Sequence, residues 1–141
     1  MSKIAVGYGS GTGNTEAMAN AVLKGADDKG AETEIITASD FSTGMVEVFD
    51  GIAFGCPSMG TEELEESEFS PMFDSIKEKL NGKRIALFGS YGWGDGEWMR
   101  NWEADCKSCG AVLVAESVIC NDAPDDDMIN KCKELGAVLA S

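Results

Sequence analysis

Between Lys3 and Glu16 the chain reads as a short apolar run, Lys3-Ile4-Ala5-Val6-Gly7-Tyr8, then a glycine-rich turn, Gly9-Ser10-Gly11-Thr12-Gly13-Asn14-Thr15, then a helix-like segment starting near Glu16. A strand that feeds a glycine-rich loop opening a helix lines consecutive N–H groups around one point, with the positive end of the helix dipole behind them. Such a turn binds anions, or else it is an ordinary tight strand-to-helix connection. The loop holds no Lys or Arg. Any anion there is held by amides and by the hydroxyls of Ser10, Thr12 and Thr15. The Walker pattern GxxxxGK[ST] is absent. The dinucleotide pattern GxGxxG also fails: begun at Gly7, Gly9 or Gly11, its third glycine falls on Thr12, Asn14 or Glu16.

The chain has 141 residues, enough for one domain, 1–141, with a real core. No apolar run approaches membrane-spanning length, and the N-terminus lacks a signal peptide's apolar segment. Five cysteines at irregular spacing argue against a disulfide framework and for a reducing compartment, so the cytoplasm is the expected location. With 25 acidic and 11 basic residues the formal charge is −14, which disfavours nucleic acid and favours a basic protein partner. There is no histidine. Ser-His-Asp and Cys-His catalysis and imidazole-dependent metal sites are therefore excluded, and chemistry here falls to a cofactor.

Strands are expected at Ile4–Val6, Thr33–Thr37, Gly51–Cys56, Arg84–Gly89 and Ala111–Ile119, the second more polar and so nearer a sheet edge. Helical stripes lie between and after them. Ala17, Met18, Ala21 and Val22 form the first, with Gly30 ending that helix; Met45, Val46, Val48 and Phe49 a short second. Phe69, Met72, Phe73, Ile76 and Leu80 form the third, closed by Asn81-Gly82, with Pro71 in its first turn. Glu97–Cys109 carries Trp98, Met99 and Trp102 and ends at Gly110; the last stripe is Met128, Ile129, Cys132, Leu135, Val138 and Leu139. Five strands alternating with five helical segments imply a parallel sheet covered on both faces. Ligands of such sheets bind beyond the carboxyl ends of the strands.

The unusual stretches follow strands one, three and four. The first offers amides and hydroxyls for a phosphate. The second, Pro57-Ser58-Met59-Gly60-Thr61-Glu62, offers a thioether at Met59 and a flexible peptide at Gly60. The third, Ser90-Tyr91-Gly92-Trp93-Gly94-Asp95-Gly96, presents an indole on glycine hinges. A phosphate site, an apolar wall and an aromatic wall describe a pocket for a phosphorylated planar ring.

Ser10-Gly11-Thr12-Gly13-Asn14-Thr15, Met59-Gly60 with the acidic run after it, and Leu87-Phe88-Gly89-Ser90-Tyr91-Gly92-Trp93-Gly94-Asp95-Gly96 together resemble the short-chain flavodoxins of anaerobic bacteria, over nearly the whole chain. The resemblance implies a flavodoxin-like doubly wound three-layer α/β sandwich. Its sheet has five parallel strands in order 2-1-3-4-5 with helices on both faces. It implies a low-potential one-electron carrier with tightly, non-covalently bound FMN, cycling mainly between semiquinone and hydroquinone, and no catalytic or metal site. Ser10 to Thr15 would bind the phosphate, with Ser58 and Ser90 near the ribityl chain or phosphate. Met59 would cover one flavin face and Trp93 the other, Glu62 would accept from the N3 side, and the Gly92 backbone would meet the pyrimidine end. The Gly60–Thr61 peptide would turn its carbonyl toward N5 on reduction. Pro57, Tyr91 and Gly96 complete the expected cofactor-binding set. Expected partners are basic or complementary redox proteins docking near the exposed flavin edge of a monomer, without nucleic acid or membrane insertion.

Relatives usually carry Gly, Asn or Asp where this chain has Thr61. If the reduced turn is type II over Met59 to Glu62, Thr61 takes the positive-φ position. A β-branched residue pays on the order of 1 kcal/mol or more there, and Pro57 stiffens the loop in partial compensation. Glu62, Glu63, Asp95 and Asp122 lie on post-strand loops. One charge about 10 Å away, at an effective dielectric of roughly 40, costs ~0.8 kcal/mol, and several lower the second potential by about 100 mV. The same acidity serves solubility.

Cys106-Lys107-Ser108-Cys109 has CxxC spacing but lies at a helix end, where the dipole does not favour a thiolate, so a structural role is expected. Zinc would need Cys120 and Cys132 to converge on it. Trp98 and Trp102, at i and i+4, are expected in the core, and Cys56 as an inert buried thiol. A phosphorylation receiver domain would need an aspartate where Cys56-Pro57 stands. An FMN-dependent quinone or nitro reductase on the same fold is the alternative function.

Overall fold

The computed structural model describes residues 2–9, 13–56, 69–91, 96–121 and 124–141. Strands β1 (Lys3–Tyr8), β2 (Glu32–Thr37), β3 (Gly51–Gly55), β4 (Arg84–Tyr91), β5 (Val112–Leu113) and β6 (Val118–Asn121) form one parallel sheet. Its order is β2-β1-β3-β4-β5, with β6 also on β4. Helices α1 (Gly13–Asp28), α2 (Met45–Val48), α3 (Phe69–Ile76), α4 (Glu97–Ser108) and α5 (Asp126–Ala140) cover it.

Alternation along each strand divides the core in two. Ile4 and Val6 of β1, Ala53 of β3, and Ala86 and Phe88 of β4 face α1 and α5. Their neighbours Ala5, Ile52, Phe54, Ile85 and Leu87 face α2, α3 and α4. A strand buried on both faces has no polar side to show, which is why β3 is buried at all five positions. β2 lies at the edge, with Ile35 left 37% exposed.

Local chemistry sets the helix ends. Asp125 caps α5 by accepting the Met128 N–H at 2.9 Å, and Asp126 and Asp127 sit in the first turn, where the dipole favours carboxylates. At the other end of α5 the Arg84 guanidinium donates to the Ser141 and Val138 carbonyls. Gly30 and Gly110, both at positive φ, follow α1 and α4 as the sequence suggests.

Four expectations need correction. Helix α1 starts at Gly13, three residues before Glu16, so Gly13, Asn14 and Thr15 belong to the helix. Ala17 is only half-buried, and the packed face adds Ala19, Gly25 and Ala26. In α5, Val138 is 42% exposed, and Gly136 takes the buried slot. The fifth strand is broken: residues 86–87 of β4 lie opposite 114–117, so the pairing resumes in a shifted register at Val118. The polar pair Glu116-Ser117 sits in the break, where the Ser117 hydroxyl donates to Glu103 of α4 at 2.7 Å. An apolar run read as one strand is thus two pieces occupying the fifth position.

Candidate functional site

Winding reverses between β1 and β3. The connection after β1 leads through α1 to β2 on one side, whereas β3 lies on the other. Ligands of open parallel sheets bind at that reversal, beyond the strand carboxyl ends, a rule for which flavodoxins themselves are a standard illustration. Tyr8 and Gly55 pair at this edge, and the chain leaving β1 stays in register, with the Gly9 N–H donating to the Gly55 carbonyl at 2.9 Å. From β3 to β4 the Cys56 N–H bonds the Phe88 carbonyl at 3.2 Å. The carboxyl ends of β1, β3 and β4 therefore form one rigid rim.

Above the rim stands the N-terminus of α1, beginning at Gly13 with Asn14 half-buried and Thr15 fully buried. Thr15 Oγ1 lies 3.1 Å from Ser90 Oγ at the end of β4. These are the buried polar side chains among the described residues. Each hydroxyl has one donor and two acceptor positions, so the pair leaves capacity for a further polar group. Hydroxyls and a helix N-terminus, with no cation in the Gly9–Thr15 sequence, fit a phosphate bound by neutral donors. Tyr8, beside this site, has its phenol pushed above the usual range by burial and then by the Glu16 carboxylate, which keeps it neutral.

On the β4 side, Tyr91 is half-buried against Trp98 of α4, rings 5.4 Å apart and tilted by 50°. Gly96 closes the loop between them. It stands at φ 91°, caps α4, and its carbonyl accepts the Met99 and Arg100 N–H groups at 3.0 and 3.2 Å. Only glycine adopts this backbone readily, and a Cβ there would come within 2.9 Å of Ile119.

Of the expected cofactor-binding residues, the structure thus brings Gly13, Asn14, Thr15, Ser90, Tyr91 and Gly96 to one end of the sheet. Ser10, Gly11, Thr12, Pro57, Ser58, Met59, Gly60, Thr61, Glu62, Gly92 and Trp93 lie outside the described residues. Glu63, Asp95 and Asp122 lie outside them as well.

The remaining cysteines settle a second question. Cys106 is buried in the α3/α4 core and Cys120 and Cys132 in the α1/α5 core, on opposite faces of the sheet, so they cannot share a zinc ion with Cys109. Among the described residues no three His, Cys, Asp or Glu side chains converge on a metal position, and none of the five cysteines forms a disulfide. Burial pushes the Cys106 and Cys132 thiols up to about 12, with Asp105 assisting at the first and Cys120 at the second. Trp98 and Trp102 are core residues, each 2% exposed. No helix among the described residues is long and apolar enough to cross a membrane.

Residues 6–136 match the family model for flavodoxin. The chain is 44% identical to a flavodoxin of Megasphaera elsdenii over 133 residues, spanning 94% of this chain and 95% of that one. It is 43% identical to a flavodoxin of Clostridium beijerinckii, spanning 95% and 96%. The fold superposes on the solution structure of two-electron reduced Megasphaera elsdenii flavodoxin with a TM-score of 0.90, covering 97% and 98% of the two chains. With the rim, the α1 N-terminus and the strand order already in place, these likenesses make the chain a member of the flavodoxin family, the FMN-binding electron carriers.

Proposed function

We propose that the chain, as a single domain over 1–141, holds FMN across the ends of β1, β3 and β4 and passes single electrons at low potential between redox proteins. The observation that carries this is the buried Thr15–Ser90 hydroxyl contact, which ties the α1 N-terminus to the end of β4. When bound, FMN supplies one-electron chemistry that no side chain of this histidine-free protein offers. Ser10 to Thr15 would hold the phosphate, and Ser58 and Ser90 would lie near the ribityl chain or phosphate. Met59 and Trp93 would cover the two ring faces and exclude water from them, and Pro57 would complete the Met59 side of the site. Glu62 and the Gly92 backbone would orient the pyrimidine end, and the Gly60–Thr61 carbonyl would be the acceptor offered to the N5 side. Tyr91 and Gly96 shape the loop that bears Trp93.

The charge of −14 suits a monomer of the cytoplasm that docks basic partners at the exposed ring edge. The named relatives are carriers, so the quinone or nitro reductase reading gains no support from them. Titration of the apoprotein with FMN tests the site. Quenching of flavin fluorescence at one equivalent is the expected result; riboflavin binding as tightly as FMN would remove the phosphate role of Ser10 to Thr15.

A further inference from the structure

Phe69 is the first residue of α3, so it fixes the point where the chain returns from residues 57–68 to the core. It is fully buried. A Cβ built on Gly9 would have Phe69 as its nearest neighbour, with Cβ and Cδ2 both at 3.2 Å. The ring side of Phe69 therefore packs on bare backbone one residue before Ser10, and that backbone is itself pinned by the Gly9–Gly55 hydrogen bond. The same ring meets Trp102 of α4 edge-on, 5.3 Å away at 87°. Helix α4 is the element that the chain enters after residues 92–95. Among the described residues the Trp102 indole N–H has no hydrogen-bond partner, and the rings of Phe69 and Phe73 pack edge-on against it. Phe69 thus touches the start of the first post-strand loop at Gly9, forms the element that ends the second, and packs on the helix that follows the third.

We propose that Phe69 is a positioning residue for the bound cofactor. It is the joint that sets the phosphate loop, the entry to α3 and the α4 side of the site at fixed spacing. The proposal rests on the FMN reading above. A site that grips one ligand at its phosphate and at its ring gains from both ends only while their separation matches the ligand, and a shift of about 1 Å forfeits much of that gain. Phe73 provides the control. It is just as buried, stacks on Phe69 at 6.2 Å and meets Phe54 and Trp102 edge-on, yet the nearest neighbours of Gly9 are all atoms of Phe69.

Affinities for FMN and riboflavin, and the two one-electron potentials with FMN bound, are measured for the wild type, Phe69→Ala, Phe69→Leu and Phe73→Ala. Phe69→Ala should lower the FMN-to-riboflavin affinity ratio by about tenfold and move the first potential. Phe69→Leu should recover part of both, and Phe73→Ala should lose stability without either change. If Phe69→Ala does not fold, Phe69→Leu against Phe73→Ala carries the same comparison. A ratio within about twofold of wild type in the folded Phe69 variants, or an equal fall in Phe73→Ala, overturns the positioning role. Failure of the wild type to take up FMN would instead overturn the site reading itself.

Discussion

Gly25 of α1 and Gly136 of α5 meet at a helix crossing where each backbone occupies the space a side chain would need. A Cβ on Gly25 would stand 1.9 Å from the Lys133 carbonyl oxygen, and one on Gly136 would stand 1.9 Å from the Val22 carbonyl oxygen. The obstacle is main chain, so no rotamer change relieves it.

Alanine at either position should therefore destabilise the protein by about 2 kcal/mol or more, although alanine favours an isolated helix by about 1 kcal/mol. The double variant should lose less than the sum, because helices parted by one methyl admit the second. Denaturant unfolding of the four proteins measures this, and strictly additive losses would show that the two glycines do not share one contact.

The Thr15–Ser90 contact predicts a coupling. Thr15→Val, Ser90→Ala and the double variant, unfolded as apoproteins, should give an interaction energy of about 0.5–1.5 kcal/mol, the usual net worth of a buried neutral hydrogen bond. Additivity within about 0.3 kcal/mol would mean that the two hydroxyls do not support each other before the cofactor arrives.

Cys106 and Cys132 make stability sensitive to alkali. Their folded pKa values stand at about 12 and the ordinary thiol value at 9.0. Below about pH 9 both states keep the proton. Between the two values the unfolded chain releases it and the folded chain does not, so stability falls by about 1.4 kcal/mol per pH unit for each thiol. Cys132→Ala should make the alkaline decline shallower by about one proton, a difference that cancels the other titrating groups. An unchanged slope would show that this thiol is ionised in the folded state.

Thr61→Gly should raise the first one-electron potential, by about 40 mV if the positive-φ cost is near 1 kcal/mol. A potentiometric titration in which that potential is unchanged or lower would remove Thr61 from the redox loop's energetics.

The sequence was legible where side-chain chemistry repeats at a fixed period. Strands at Ile4, Ile52 and Ile85 announced themselves because both faces are buried, so no polar residue interrupts them. The start of α1 was legible to within three residues, because a helical stripe follows the glycines directly. What stayed hidden depends on tertiary packing. The break between Leu113 and Val118 goes with Ser117 turning to donate to Glu103 of α4, and an apolar run around it masks the break. Gly136 reads as a weak point in a helix until Val22 is seen against it. Phe69 carries only a core residue's signal, since its neighbour Gly9 lies sixty positions earlier in the chain.

Stepwise reduction of the purified protein, followed by its absorption spectrum, tests the central claim most directly. The account predicts stoichiometric FMN and a long-wavelength blue band that grows over the first electron and vanishes over the second. Protein that takes up no FMN, or a flavin that bleaches in one two-electron step with no intermediate band, would contradict it.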